Sequence, residues 1–162
     1  MKYANIIYND VVNTDGVALC YYTQGCTHHC KGCFSKQTWD FNSGFELTGG
    51  KIDELSYCLK NYKYDYLCLL GGDPLDDLET SKFIINLCKK FQPNIKIWCY
   101  TGYTLETIPS ECRYILNYID VLIDGQYVEY LKDLRLSFMG SSNQKIYKKL
   151  ESGEWYDVTP VQ

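Results

Sequence analysis

Five short apolar runs, each stopped by a cluster of small or polar residues, set the tightest limit on what this chain can fold into. "VALCYYT" (17–23) leads into "QGCTHHCKGC", "YLCLL" (66–70) ends in "GGDP", "IKIWCY" (95–100) ends in "TGY", "VLI" (121–123) ends in "DGQY", and "LRLSF" (134–138) ends in "MGSSNQ". Runs that are apolar throughout suit strands covered on both faces, as in a parallel sheet. Helical stripes lie between them: Ile52, Leu55, Leu59 and Tyr62; Ile84, Leu87, Cys88 and Phe91; Cys112, Ile115, Leu116 and Ile119, with Ser110 as N-cap. Strand, turn, helix, strand is the rhythm of βαβ units. A closed eight-fold barrel needs about 250 residues, whereas this chain has 162, room for five or six units. The expected fold is therefore a single α/β domain over 1–162: an incomplete, laterally open (β/α) barrel of five to six mostly parallel strands. The rival is a doubly wound open sheet. In either, the carboxyl ends of the strands carry the site, so the five clusters should converge on one face.

Apolar residues make up 46 % of the chain and charged residues 22 %, enough core for one domain and too little charge for disorder. A net charge of −4 offers no basic footprint for nucleic acid. No apolar run approaches the roughly 18 residues of a spanning helix, and "MKYANIIYNDVVNTDG" opens without a signal-peptide stretch. A cytoplasmic protein with neither nucleic-acid nor membrane partner is expected. The nine cysteines are odd in number, which does not suit a secreted disulfide framework. Cys20, Cys58, Cys68, Cys88, Cys99 and Cys112 read as reduced core or surface residues.

Only Cys26, Cys30 and Cys33, in C-x3-C-x2-C, have the spacing of ligands. A structural zinc ion takes four ligands; His28 and His29 lie inside the loop, and no second C-x2-C follows. A redox pair of Cys30 and Cys33 would leave Cys26 unexplained. An iron–sulfur cluster is normally held by four thiolates, so three on one loop would leave one iron open. An open coordination position marks a catalytic centre rather than a structural one.

The spacing resembles that of the radical S-adenosylmethionine superfamily, and "GGDP" resembles its glycine-rich motif. Gly32 stands where many members carry an aromatic residue before the third cysteine, and Phe34 follows it instead. That variant, with "GCTHHCKGCFSKQTW", "LLGGDPL", "IWCYTGY", "IDVLIDGQY" and "GSSNQ", is similar to the activating proteins of anaerobic ribonucleoside-triphosphate reductase over nearly the whole chain. The resemblance implies a 4Fe–4S cluster on Cys26, Cys30 and Cys33, with S-adenosylmethionine on the open iron. It implies reductive cleavage to a 5′-deoxyadenosyl radical, which takes hydrogen from a glycine of the large reductase subunit. A one-electron donor such as flavodoxin is then needed. No catalytic residue beyond the cluster and S-adenosylmethionine is expected.

Gly71, Gly72 and Asp73 are expected at the methionine amino end of that ligand, since glycines admit close backbone approach and a carboxylate suits an ammonium group. The backbone of Gly32, Cys33 and Phe34 is expected along the adenine, with core packing the alternative for Phe34. Thr101 and Asp124 end their strands and could touch the ligand or a bound cation; for Asp124, starting a turn is the alternative. Asn143 and Gln144 fit the family pattern without a physical role. His28 and His29 read as solvent-facing, Trp39, Trp98 and Trp155 as core or partner surface, and Gly153 as a turn glycine. Two other readings stay open: activation of a different glycyl-radical enzyme, and a non-catalytic zinc-binding interaction module.

Overall fold

The computed structural model describes residues 1–161. One sheet of eight strands organises them. The strands are β1 (Lys2–Asp10), β2 (Ala18–Thr23), β3 (Phe45–Glu46), β4 (Tyr66–Gly71), β5 (Lys96–Tyr100), β6 (Val121–Asp124), β7 (Lys145–Lys149) and β8 (Trp155–Asp157), in the order β3-β1-β2-β4-β5-β6-β7-β8. β2, β4, β5 and β6 pair in parallel, and the flanking strands are antiparallel. The four parallel strands are the first four apolar runs. "LRLSF" is not a strand: Asp133 binds the Arg135 backbone and guanidinium, and the segment turns, with Leu136 and Phe138 packing under the sheet. β1, β3, β7 and β8 raise the count to eight from the expected five or six. β1 escaped notice because its apolar and polar residues do not alternate cleanly, and its register against β2 shifts twice.

Helix α1 (Gly49–Asn61) starts at Thr48, whose hydroxyl accepts the Lys51 amide at 3.2 Å, and α2 (Leu78–Phe91) starts at Asp77, which accepts the Thr80 amide at 3.2 Å. The third stripe winds as a 3-10 helix over Ser110–Tyr118. Ser110 does not cap it; its hydroxyl turns to Glu111, and Pro109 at the cap position has no acceptor side chain.

Alternation sorts the parallel strands into two faces. Leu19, Leu67, Leu69, Ile97, Cys99 and Leu122 form one core with Leu55 and Leu59 of α1, Ile84, Ile85 and Cys88 of α2, and Cys112, Ile115 and Leu116. The three helical stripes thus share one face. Ala18, Cys20, Cys68, Trp98, Val121 and Ile123 face the other way, toward Met139 and Ile146. The parallel strands follow one another in chain order with no reversal. A doubly wound sheet would reverse at a switch point and place helices on both faces.

Candidate iron–sulfur site

The four strand-end clusters meet in one cleft of about 240 Å³, joined by Gln144 of "GSSNQ", which leads into β7 rather than ending a strand. Cys26, Cys30 and Cys33 line it, with Gly71, Gly72, Asp73, Thr101, Gly125, Tyr127 and Gln144. The cysteine loop is closed at its base where the Gly25 and Cys26 amides donate to Thr38 and Trp39 at 2.7 and 3.2 Å. Its tip turns at Gly32, whose φ of +78° is left-handed; the Cys33 amide returns to the Cys30 carbonyl at 3.1 Å.

All three thiols are free. Their sulfurs do not all fall within 4.8 Å of one another among the described residues. A tetrahedral zinc ion, about 2.3 Å from each sulfur, would hold its sulfurs roughly 3.8 Å apart. Three thiols on one cleft are also the donor set of a multi-iron cluster, which thiolates hold. The Ser35 amide donates to Cys33 Sγ at 3.3 Å. Burial pushes the Cys26 thiol up to about 11 and raises Cys30. Metal ligation needs thiolates, and a bound cationic centre would offset that burial.

Asp73 is the hub of the cleft, 1 % exposed. Its Oδ1 accepts the Leu75 amide at 2.9 Å, its Oδ2 accepts the Gly102 amide at 2.8 Å, and Thr101 Oγ1 lies 3.0 and 2.9 Å from the two oxygens. His28 Nε2 lies 2.7 Å from Oδ2. Protein donors therefore reach both oxygens of the carboxylate. His28 is not solvent-facing: its side chain is 9 % exposed, and its hydrogen bond to Asp73 raises its pKa. Cys26, His28 and Asp76 bring ligand atoms within 4.8 Å of one another. That grouping is a hydrogen-bond cluster, since Asp76 already accepts from Thr27 and Tyr103, and both His28 nitrogens have partners.

The Gly72 backbone packs so tightly on the cysteine loop that a Cβ there would collide with the Gly25 carbonyl. The close approach expected of this glycine is made to the cysteine loop itself. Thr101 lines the cleft. Asp124 does not: it points to the helix-covered side, accepts the Leu105 amide at 2.7 Å, and has its pKa raised by burial. Phe34 is not core; it is 77 % exposed, tilted against Tyr127 with Lys132 over its ring.

Asn143 and Gln144 acquire a role as fasteners. Asn143 Nδ2 donates to the Gln126 carbonyl at 2.8 Å, and Gln144 Nε2 to the Gly125 carbonyl at 2.9 Å, binding "DGQY" to "GSSNQ". Trp98 is core, Trp39 lines the cleft and stacks on exposed His29, Trp155 packs half-buried on the helix-side core, and Gly153 sits in the β7–β8 turn. Sequence reasoning missed His28, Asp76, Tyr103 and Gln126. Only the "TGY" and "DGQY" clusters hinted at the last two.

A cleft lined by three free thiols, at the carboxyl ends of parallel strands, defines an iron–sulfur protein of the α/β class. A family model described as a 4Fe-4S single cluster domain matches residues 12–147. An anaerobic ribonucleoside-triphosphate reductase-activating protein of Haemophilus influenzae is 36 % identical over 152 residues, covering 91 % of this chain and 98 % of its own. The proteins of the same name from Escherichia coli and phage T4 are each 34 % identical, over 91 % and 96 % of this chain and 98 % of their own lengths. The chain belongs to the family of anaerobic ribonucleoside-triphosphate reductase-activating proteins. No helix among the described residues is long and apolar enough to cross a membrane.

Proposed function

We propose that the chain is a radical S-adenosylmethionine enzyme that activates anaerobic ribonucleotide reductase by generating a glycyl radical on its large subunit. Cys26, Cys30 and Cys33 would hold a 4Fe–4S cluster, and the carbonyls of Gly71 and Gly72 would receive the methionine ammonium. When bound and reduced, the cluster supplies the electron that cleaves S-adenosylmethionine to methionine and a 5′-deoxyadenosyl radical. The chain's own residues bind, orient and exclude water. Asp73 and Thr101 hold the loop ends together, while Tyr127 and exposed Phe34 flank the cluster loop where a partner's glycine segment would enter. The fold is proposed to be the laterally open barrel, its unpaired edges β3 and β8 leaving the gap a protein substrate needs. The electron is proposed to come from a flavodoxin-like donor.

The convergence of the three thiols with "GGDP" on one cleft carries this reading. Anaerobic reconstitution with iron and sulfide should give about four irons per chain and an air-sensitive chromophore. Mixed with the reductase subunit, S-adenosylmethionine and a reductant, the protein should produce a glycyl-radical EPR signal. Cys26→Ala, Cys30→Ala and Cys33→Ala should each abolish 5′-deoxyadenosine formation, and Cys68→Ala should not. Tight zinc with no visible absorbance would overturn the reading.

A further inference from the structure

Between Cys26 and Cys30 the chain makes no backbone–backbone hydrogen bond among the described residues. Residues 27–29 are tethered by other contacts. The Thr27 amide and hydroxyl donate to Asp76 Oδ2 at 2.8 and 2.9 Å, and His29 stacks on Trp39 at 4.5 Å. Of the three, His28 reaches the most loops. Its Nε2 lies 2.7 Å from Asp73 Oδ2, its Nδ1 3.1 Å from Gln126 Nε2, and its ring makes a T-shaped contact with Tyr103, centroids 4.5 Å apart. The ring also fills the space where a Cβ on Gly102 would sit. One side chain thus ties the cysteine loop to "GGDP", "TGY" and "DGQY".

The two nitrogens do different work. An ionised carboxylate only accepts, so Nε2–H donates to Asp73; in the neutral ring Nδ1 then accepts from the Gln126 amide. The Asp73 contact is nearly excluded from water, whereas the Gln126 contact is exposed. A charge-assisted hydrogen bond in a water-poor site outweighs a neutral exposed one.

We propose that His28 is a positioning residue that sets the cysteine loop over the cleft by donating from Nε2 to Asp73, with the Nδ1 contact to Gln126 secondary. A cluster on Cys26 and Cys30 would then be held in place partly by a residue that does not ligate it. That consequence rests on the iron–sulfur reading; the clamp itself does not.

Isosteric amides separate the two nitrogens. In His28→Gln the amide nitrogen reaches the Nε2 position and can still donate to Asp73. In His28→Asn the amide reaches only the Nδ1 position. The first readout is hydrogen exchange, in reduced protein without iron, of the Cys26 and Thr27 amides, which donate to Trp39 and Asp76. His28→Asn should exchange about tenfold faster or more, and His28→Gln should stay within about twofold of wild type. Gln126→Ala should also stay within about twofold. Thermal midpoints, measured alongside, identify any variant whose loss is global. The second readout, on reconstituted protein, is the rate at which a chelator strips iron, expected in the same order. Protection in His28→Asn equal to wild type overturns the proposal, as does equal loss in His28→Gln and His28→Asn. A tenfold loss in Gln126→Ala would overturn it too, by moving the anchor to Nδ1. If wild type takes up no iron, the iron–sulfur reading falls while the exchange data still decide the clamp.

Discussion

Asp73 follows β4 and Asp124 ends β6, and both are almost fully buried, at 1 % and 2 % exposure. Asp73 lies on the cleft and gathers donors from three loops: His28, Thr101 and Gly102, and Leu75 of its own turn. Asp124 accepts the Leu105 amide and is approached by the Lys145 backbone of the neighbouring strand. The difference comes from the period of the strand. In β6, Val121 and Ile123 face the cleft-side core and Leu122 faces the helices, so the next residue, Asp124, also faces the helices. Asp73 is carried past the strand end by Gly71 and Gly72 and is free of that alternation. A carboxylate at a strand's carboxyl end is therefore a site residue only if the pleat or the following turn delivers it to the right face.

The strongest way to break this contrast is Asp73→Ala. It strands several buried donors at once, and a donor left unpaired in the interior costs about 1–3 kcal/mol. Because the donors share one network, the total should be about 3 kcal/mol or more rather than a simple sum. Urea unfolding measures it, and a loss below about 1 kcal/mol would mean that Asp73 is not the hub. Next comes Gly72→Ala. The added Cβ meets the Gly25 carbonyl, and backbone on both sides leaves little room to relax, so a cost of about 1–3 kcal/mol is expected. The Asp73 amide, which donates to that same carbonyl at 2.9 Å, should lose hydrogen-exchange protection. An alanine accepted without change in thermal midpoint would show that the two loops do not touch.

These residues also mark how far the sequence could be read. The four parallel strands were legible because strands buried on both faces are apolar throughout, and the cysteine loop was legible because ligand spacing is local. α1 and α2 were legible from their stripes. β7 was not: Ile146 and Tyr147 lie between lysines at 145, 148 and 149, as an edge-proximal strand allows, and no continuous run betrays it. The 3-10 winding of Ser110–Tyr118 was hidden because its stripe over Cys112–Ile119 matches an α-helix as well. His28 was read as solvent-facing because a polar residue between two cysteines gives no local sign of a partner 45 residues away. Asp124 was placed at a strand end correctly, but the register that points it away from the cleft depends on which side the helices take. Contacts fixed by long-range register are the part that local pattern does not carry.

The smallest expected effect belongs to Asp124→Asn. Asparagine keeps an oxygen for the Leu105 amide, so stability at neutral pH should change by no more than about 1 kcal/mol. The informative quantity is how that small difference moves with pH. Burial raises the Asp124 pKa in the folded state, while in the unfolded chain it titrates near the ordinary value of about 3.9. Between those values the folded state binds more protons than the unfolded one, so stability falls as pH rises. Relative to the asparagine variant, wild type should therefore be at its best below about pH 4 and should lose ground as pH rises through the folded pKa, then level off. The difference between the two unfolding curves, taken across that range, cancels contributions from groups common to both. A difference that rises with pH would mean a lowered carboxylate, and hence that donors or a cation, not burial, dominate at Asp124; the contrast between a donor-rich and a donor-poor strand end would then disappear.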